Sequence, residues 1–158
     1  MKNERRVYPV EEVCIGCHLC EIACAVEHSA SKDILRAFKE ETARPQARNI
    51  LDEKEHHSFS LNCRHCEEPA CVDACIAGAL VKDPESGLVV HTPEKCVGCW
   101  SCVMTCPFGA IRMDTERGRA MKCDLCPGRE IPACVEACPN RALVFEERRG
   151  DRDLPDRR

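Results

Sequence analysis

The chain has 158 residues, of which 16 are cysteine and only six are aromatic (Tyr8, Phe38, Phe59, Trp100, Phe108 and Phe145). A chain of this length makes one domain or two small ones, and small units poor in core-filling side chains need staples or metals. No apolar run approaches the ~18 residues of a membrane span, and a net charge of −4 offers little to a nucleic-acid backbone. Arg5-Arg6 is followed by Val-Tyr-Pro-Val-Glu-Glu rather than an apolar stretch, so the sequence predicts a cytoplasmic protein, where disulfides are rare.

In chain order, Arg6-Val-Tyr-Pro-Val reads as a strand in need of a partner. Motif one follows: Cys14, Cys17, Cys20 and Cys24, spaced C-x2-C-x2-C-x3-C. Ser31 to Glu41 reads as an amphipathic helix, with Ser31 or Asp33 at its start, Ile34, Leu35 and Phe38 on one face, and Arg44-Pro45 as its end. The polar segment 45–57 reads as a loop that covers a buried centre or docks a partner. Motif two is Cys63, Cys66, Cys71 and Cys75, spaced C-x2-C-x4-C-x3-C. A hairpin follows, Ala79-Leu-Val-Lys-Asp and Leu88-Val-Val-His-Thr around a Pro-Glu-Ser-Gly turn. Motif three is Cys96, Cys99, Cys102 and Cys106, with the spacing of motif one and Pro107 next. A second hairpin joins Ala110-Ile-Arg-Met-Asp to Arg119-Ala-Met-Lys through Thr-Glu-Arg-Gly. Motif four is Cys123, Cys126, Cys134 and Cys138, spaced C-x2-C-x7-C-x3-C, with Pro139 next. Pro69-Ala-Cys-Val-Asp-Ala-Cys75 reappears as Pro132-Ala-Cys-Val-Glu-Ala-Cys138, and each copy predicts a helical turn followed by an Ala-Leu-Val strand. Arg141-Ala-Leu-Val-Phe supplies the partner for the first strand. The charged tail after Glu146 predicts disorder.

No cysteine is left over. Three closely spaced thiolates on a loop can wrap one small inorganic cube, and the fourth, at the start of a helix, points away to a different cluster, as in two-cluster ferredoxins. The count predicts four [4Fe–4S] clusters with sixteen cysteine ligands. Structural zinc prefers two C-x2-C knuckles set a dozen or more residues apart, and disulfides need an oxidising compartment. Gly16 and Gly98 let the backbone approach a cluster or simply make a turn. Trp100 lies between two ligands and shields that cluster. His18, His28 and His65 lie near clusters without being needed as ligands. Arg112, Arg117, Arg119 and Lys122 read as a solvated hairpin, with contact to an acidic partner as the sharper alternative.

These motifs resemble the four-cluster ferredoxin-type electron-transfer subunits of multisubunit oxidoreductases, the superfamily of the dimethyl sulfoxide reductase iron–sulfur subunit. The run Cys-Ile-Gly-Cys-His-Leu-Cys-Glu-Ile-Ala-Cys-Ala-Val-Glu-His-Ser (14–29) is most similar to the small iron–sulfur subunits of tungsten aldehyde oxidoreductase and carbon monoxide dehydrogenase. The resemblance implies an α+β fold of two fused bicluster ferredoxin-like units. The outer unit would take residues 1–55 plus 116–147 with motifs one and four, the inner unit 56–115 with motifs two and three, and 148–158 would be a flexible tail. It also implies four ligand sets: Cys14, Cys17 and Cys20 with Cys138; Cys123, Cys126 and Cys134 with Cys24; Cys63, Cys66 and Cys71 with Cys106; and Cys96, Cys99 and Cys102 with Cys75.

The chain carries no dinucleotide loop, no catalytic triad and no open metal position. The sequence therefore predicts a non-catalytic wire between a low-potential oxidoreductase subunit and a second redox partner, with end-to-end self-assembly as a further possibility and no role in nucleic-acid or membrane binding. The alternatives are service to a formate dehydrogenase, hydrogenase or molybdopterin reductase complex, a zinc-based interaction module, and an enzyme with a catalytic cluster.

Overall fold

The computed structural model describes residues 5–147. The expected charged tail lies outside them. The fold is α+β, built from four two-stranded antiparallel sheets and five short helices. The strands are β1 (Arg5–Pro9), β2 (Ile50–Lys54), β3 (His57–Leu61), β4 (Leu80–Lys82), β5 (Val89–His91), β6 (Ile111–Asp114), β7 (Arg119–Lys122) and β8 (Leu143–Glu147). The helices are α1 (Leu19–Glu27), α2 (Ile34–Lys39), α3 (Ala70–Asp73), α4 (Ser101–Thr105) and α5 (Ala133–Glu136).

The first and last strands meet: β1 pairs with β8 in the register Val7↔Phe145, and Val10 N–H extends the ladder to the Ala142 carbonyl at 2.8 Å. Hairpins β4–β5 and β6–β7 form where the sequence predicts them, each reversing over a turn that ends in glycine. Helix α1 packs on α5, and α3 on α4. The repeated Pro-Ala-Cys-Val segments form α3 and α5, both entered from a proline whose missing N–H costs nothing at a helix start.

The hydrophobic core is divided into a small cluster of Cys24, Ala25 and Ala47 and two larger ones, and cysteine is part of each. One cluster gathers Val7, Leu125 and Leu143 around Cys20, Cys63, Cys123 and Cys134. The other gathers Leu80, Val89, Ile111 and Ala120 around Cys102, with Cys71, Cys75, Cys96 and Cys106 against it.

Two expectations need correction. The segment 45–57 is not all loop: β2 and β3 form a hairpin in the register Asp52↔Phe59. Its turn, Glu55-His56, lacks the usual Asn-Gly or Gly signal, and Glu55 adopts the left-handed conformation at φ +54°. The helix in 31–41 is shorter than predicted. Asp33 caps it by accepting from Leu35 and Arg36 N–H at 3.0 Å, and it ends at Lys39, before Arg44-Pro45. Ile34, Leu35 and Phe38 are exposed, and Ala37 is the residue it buries. Glu41 folds back to accept from Ser31 N–H at 2.8 Å and Ser31 Oγ at 2.6 Å, closing the segment as a small loop.

Candidate iron–sulfur sites

Each cysteine loop starts from a tight turn. The residue before the second cysteine has positive φ in all four motifs: Gly16 (+63°), His65 (+46°), Gly98 (+68°) and Leu125 (+63°). That conformation reverses the loop so that neighbouring thiols face inward. Motifs one and three share more, since a single 3-10 turn precedes each (Glu11–Val13 and Pro93–Lys95), and His18 and Trp100 enter the following helix from the left-handed region.

Glycine at 98 has a reason the sequence does not show. A Cβ there would lie closer than 3.0 Å to the Gly118 backbone carbonyl oxygen, in the β6–β7 turn. At Gly16 the nearest atom is the end of the Glu53 side chain, which can move.

The cavities gather cysteines that are far apart in sequence. One is lined by Cys14, Cys17, Cys20 and Cys138, roofed by Leu51 and Ser60 of the β2–β3 hairpin. A second is lined by Cys75, Cys96, Cys99 and Cys102, with Trp100 in its wall. Cys71 lies near Cys63, Cys66 and Cys106; burial first, and then the charge of these neighbours, pushes its thiol up to about 12. Cys134 lies near Cys123, Cys24 and Cys126, and burial pushes its thiol well above the ordinary range.

The same effect holds Cys123 up at about 12 and Cys126 at about 11, burial being the main cause in each. Exposed Cys99 goes the other way, drawn down by hydrogen bonding to Ser101. A buried thiol that resists ionisation keeps its proton until a metal replaces it.

The donor set around these sulfurs suits anionic sulfur. Backbone N–H groups point at Sγ from Ala142 to Cys138 (3.1 Å), Arg48 to Cys24 (3.2 Å), Ala79 to Cys75 (3.2 Å) and Ala120 to Cys96 (3.4 Å). His65 adds an orphan. Its Nδ1 accepts from Val89 N–H at 3.0 Å, so Nε2 carries the proton, and that buried N–H has no acceptor among the described residues. The polypeptide thus presents grouped thiols, inward N–H donors and an unsatisfied donor, a set that fits cubane clusters.

His91, in the wall of the Cys96 cavity, likewise has a buried Nε2 without a partner among the described residues, whereas His18 and His28 have plainer roles. His18 bonds Glu21 at the surface. His28 joins Cys24 to Asp124: its Nδ1 lies 2.7 Å from the Cys24 carbonyl oxygen and its Nε2 3.0 Å from Asp124, which also pairs with Arg48. Burial lowers the His28 pKa, but the bonds to Asp124 and Cys24 outweigh it and hold it at about 9.

The basic hairpin is less solvated than predicted. Arg112 reaches Glu21 at 3.3 Å and the Asn49 carbonyl at 3.1 Å, Arg117 pairs with buried Asp114 at 3.0 Å, and Lys122 is buried. Of the four, Arg117, Arg119 and Lys122 line the open cleft between this hairpin and the 43–48 loop.

A family model described as "4Fe-4S dicluster domain" matches residues 54–148, and one described as "4Fe-4S binding domain" matches residues 11–27. The chain belongs to the 4Fe-4S dicluster-domain family. This iron–sulfur chain is 39% identical, over 90% of its length and 82% of the relative's, to the "Iron-sulfur protein" of Rhodospirillum rubrum. It is 36% identical, over 85% of its length and 83% of the relative's, to "Electron transport protein HydN" of Escherichia coli (strain K12). Among solved structures, its fold is similar to a chain of the active site complex BamBC of benzoyl coenzyme A reductase with 1,5-dienoyl-CoA. That match has a TM-score of 0.51, 20% identity, and coverage of 98% of this chain and 80% of that one. No helix among the described residues is long and apolar enough to cross a membrane.

Proposed function

We propose that this protein is a non-catalytic electron-transfer subunit that holds four [4Fe–4S] clusters in line and passes electrons between a catalytic oxidoreductase subunit and a second redox partner. The observation that carries this reading is the gathering of cysteines from different motifs around shared centres. Cys138 of motif four lies with motif one, and Cys75 of motif two with motif three. Cys106 lies near motif two, and Cys24 near motif four. The ligand sets follow: Cys14, Cys17, Cys20 and Cys138; Cys123, Cys126, Cys134 and Cys24; Cys63, Cys66, Cys71 and Cys106; Cys96, Cys99, Cys102 and Cys75.

The same proximities support an order for the centres. Cys20 lies close enough to Cys134 to push its thiol further up, and Cys63 lies close enough to Cys123 to do the same. The centres of motifs one, four, two and three then form a line, with the motif four and motif two centres in the middle. Motifs one and four form an outer unit and motifs two and three an inner one, in keeping with the packing of α1 on α5 and α3 on α4.

Each cluster, when bound, supplies reversible one-electron chemistry. The chain does the rest. Its buried thiols fix the centres, its N–H groups at Cys24, Cys75, Cys96 and Cys138 favour the more negative state of the sulfur they face, and its cores exclude water. The catalytic partner, read from the 14–29 run, is a tungsten aldehyde oxidoreductase or carbon monoxide dehydrogenase type. HydN, named for electron transport, supports the carrier role and leaves a formate dehydrogenase, hydrogenase or molybdopterin reductase complex as the second reading of the partner. Service in the cytoplasm and end-to-end assembly with further copies belong to the same proposal.

Anaerobic purification tests it. The intact chain should carry about sixteen iron and sixteen sulfide, four of each per cluster, and should bring its catalytic subunit with it. A colourless protein holding zinc would replace the wire with an interaction module, and substrate turnover by the isolated chain would make it an enzyme.

A further inference from the structure

Lys122 is the last residue of β7 and immediately precedes Cys123. Along β7, Ala120 and Lys122 face inward while Arg119 and Met121 are partly exposed, so a lysine occupies a core position opposite Ile111. It is 4% exposed. Its Nζ donates to the Val89 carbonyl and to the Cys123 carbonyl, both at 2.7 Å. Among the described residues no carboxylate lies within 4.0 Å of it, whereas Arg48, Arg112, Arg117 and Arg129 all have one.

A structural staple between two carbonyls accounts for the hydrogen bonds but not for the charge. Two neutral N–H donors would satisfy the same carbonyls, while burying an ammonium without a counter-ion costs several kcal/mol. A lysine retained at an inward strand position therefore calls for an anion that the polypeptide does not supply.

The location says which anion. Val89 belongs to the core around Cys71 and Cys102, and Cys123 to the core around Cys20, Cys63 and Cys134. Lys122 thus bonds one carbonyl from each core, at the junction of the motif four and motif two centres.

We propose that Lys122 is the shared counter-cation of the two central clusters and that its charge raises the reduction potentials of those two and not of the end pair. This rests on the four-cluster reading. Reduction adds one electron, and so one negative charge, to a site already anionic from its thiolates, with no proton taken up. The electron comes from the low-potential catalytic partner, or from dithionite in the test. A fixed cation favours the reduced form of whichever cluster it touches, and Lys122 touches both sides of the step between the two halves. It is a positioning residue and is not a ligand.

The test is a mediated redox titration of the intact chain, read by electron paramagnetic resonance, in the wild type and in Lys122→Met and Lys122→Arg. In Lys122→Met two of the four midpoint potentials should fall by about tenfold in the reduction equilibrium, 59 mV for a one-electron couple, while the other two stay. Lys122→Arg should keep all four. Four unmoved potentials in a fully loaded Lys122→Met chain would overturn the proposal, as would equal movement of all four. If Lys122→Met does not load, Lys122→Gln takes its place. Loss of iron from Lys122→Gln with full loading of Lys122→Arg supports the charge, and loss from both assigns Lys122 to packing. Iron and sulfide content of the wild type tests the four-cluster reading separately, whatever Lys122 does.

Discussion

Replacing Gly98 with alanine separates a glycine that only turns the chain from one that admits another backbone. At φ +68° any L-residue loses about 1–2 kcal/mol to the left-handed conformation. The new methyl would also sit closer than 3.0 Å to the Gly118 carbonyl oxygen, so the motif three loop or the β6–β7 turn must shift. Overpacking of that kind adds about 1–3 kcal/mol, for a total of about 3 kcal/mol. Gly87 is the control. Its φ is +69° and nothing lies within 4 Å of an added Cβ, so Gly87→Ala should lose only the left-handed cost, about 1.5 kcal/mol. At roughly 2–4 °C per kcal/mol for a chain of this size, Gly98→Ala should lower the anaerobic melting temperature by about 6–12 °C and Gly87→Ala by about 3–6 °C. Circular dichroism gives both values, and visible absorbance should show Gly98→Ala shedding iron first. Equal shifts for the two variants would refute the argument that the close approach of Gly98 to Gly118 matters.

Cys138→Ala and Cys14→Ala should abolish the same paramagnetic signal, while Cys123→Ala abolishes a different one; a shared signal for Cys138 and Cys123 would undo the interleaved ligand sets. His28 gives a pH dependence. Its folded pKa of about 9 lies above the ordinary 6.5, so its contribution is fully present below pH 6.5 and is lost as pH rises through 9. After allowance for its partial exposure, wild type should lose about 2 kcal/mol more than His28→Asn across that window, measured by unfolding at both ends; parallel losses would remove the assignment. Chelation of all iron should unfold the chain, because cysteines stand inside both of its larger cores and metal binding to them is coupled to folding. Native circular dichroism after complete removal would show that the polypeptide core suffices.

Much of the local structure was legible because its signals are local. The cysteine spacings, the Gly87 and Gly118 turns and the repeated Pro-Ala-Cys-Val segments each specify backbone over a few residues, and β4–β5, β6–β7, α3 and α5 appear where those signals stand. The pairing of β1 with β8 was also readable, since two short apolar strands each lacked another partner. Hairpin β2–β3 was not. Its turn carries glutamate and histidine, and Glu55 takes a left-handed conformation that its own residue type disfavours. The contacts of β3 with β1 and of Leu51 and Ser60 with the Cys14 cavity supply what the turn lacks. Helix α2 misled for the opposite reason. Ile34, Leu35 and Phe38 have helical spacing, yet spacing says only that they share a face, and that face meets no core.

Cysteine set the bounds of this protein from the start: sixteen thiols in four spaced groups, with few aromatics to fill a core, already specify iron–sulfur chemistry. Ligand chemistry and loop geometry are short-range properties, so a linear sequence can carry them. The surroundings of those thiols are long-range. Only folding places Cys138 beside Cys14, sets the Gly118 carbonyl against Gly98, and carries Lys122 from a hairpin that looked solvated into the junction of two cores. A charge has the same symbol in sequence whether it faces water or a buried thiolate, and tertiary structure decides which.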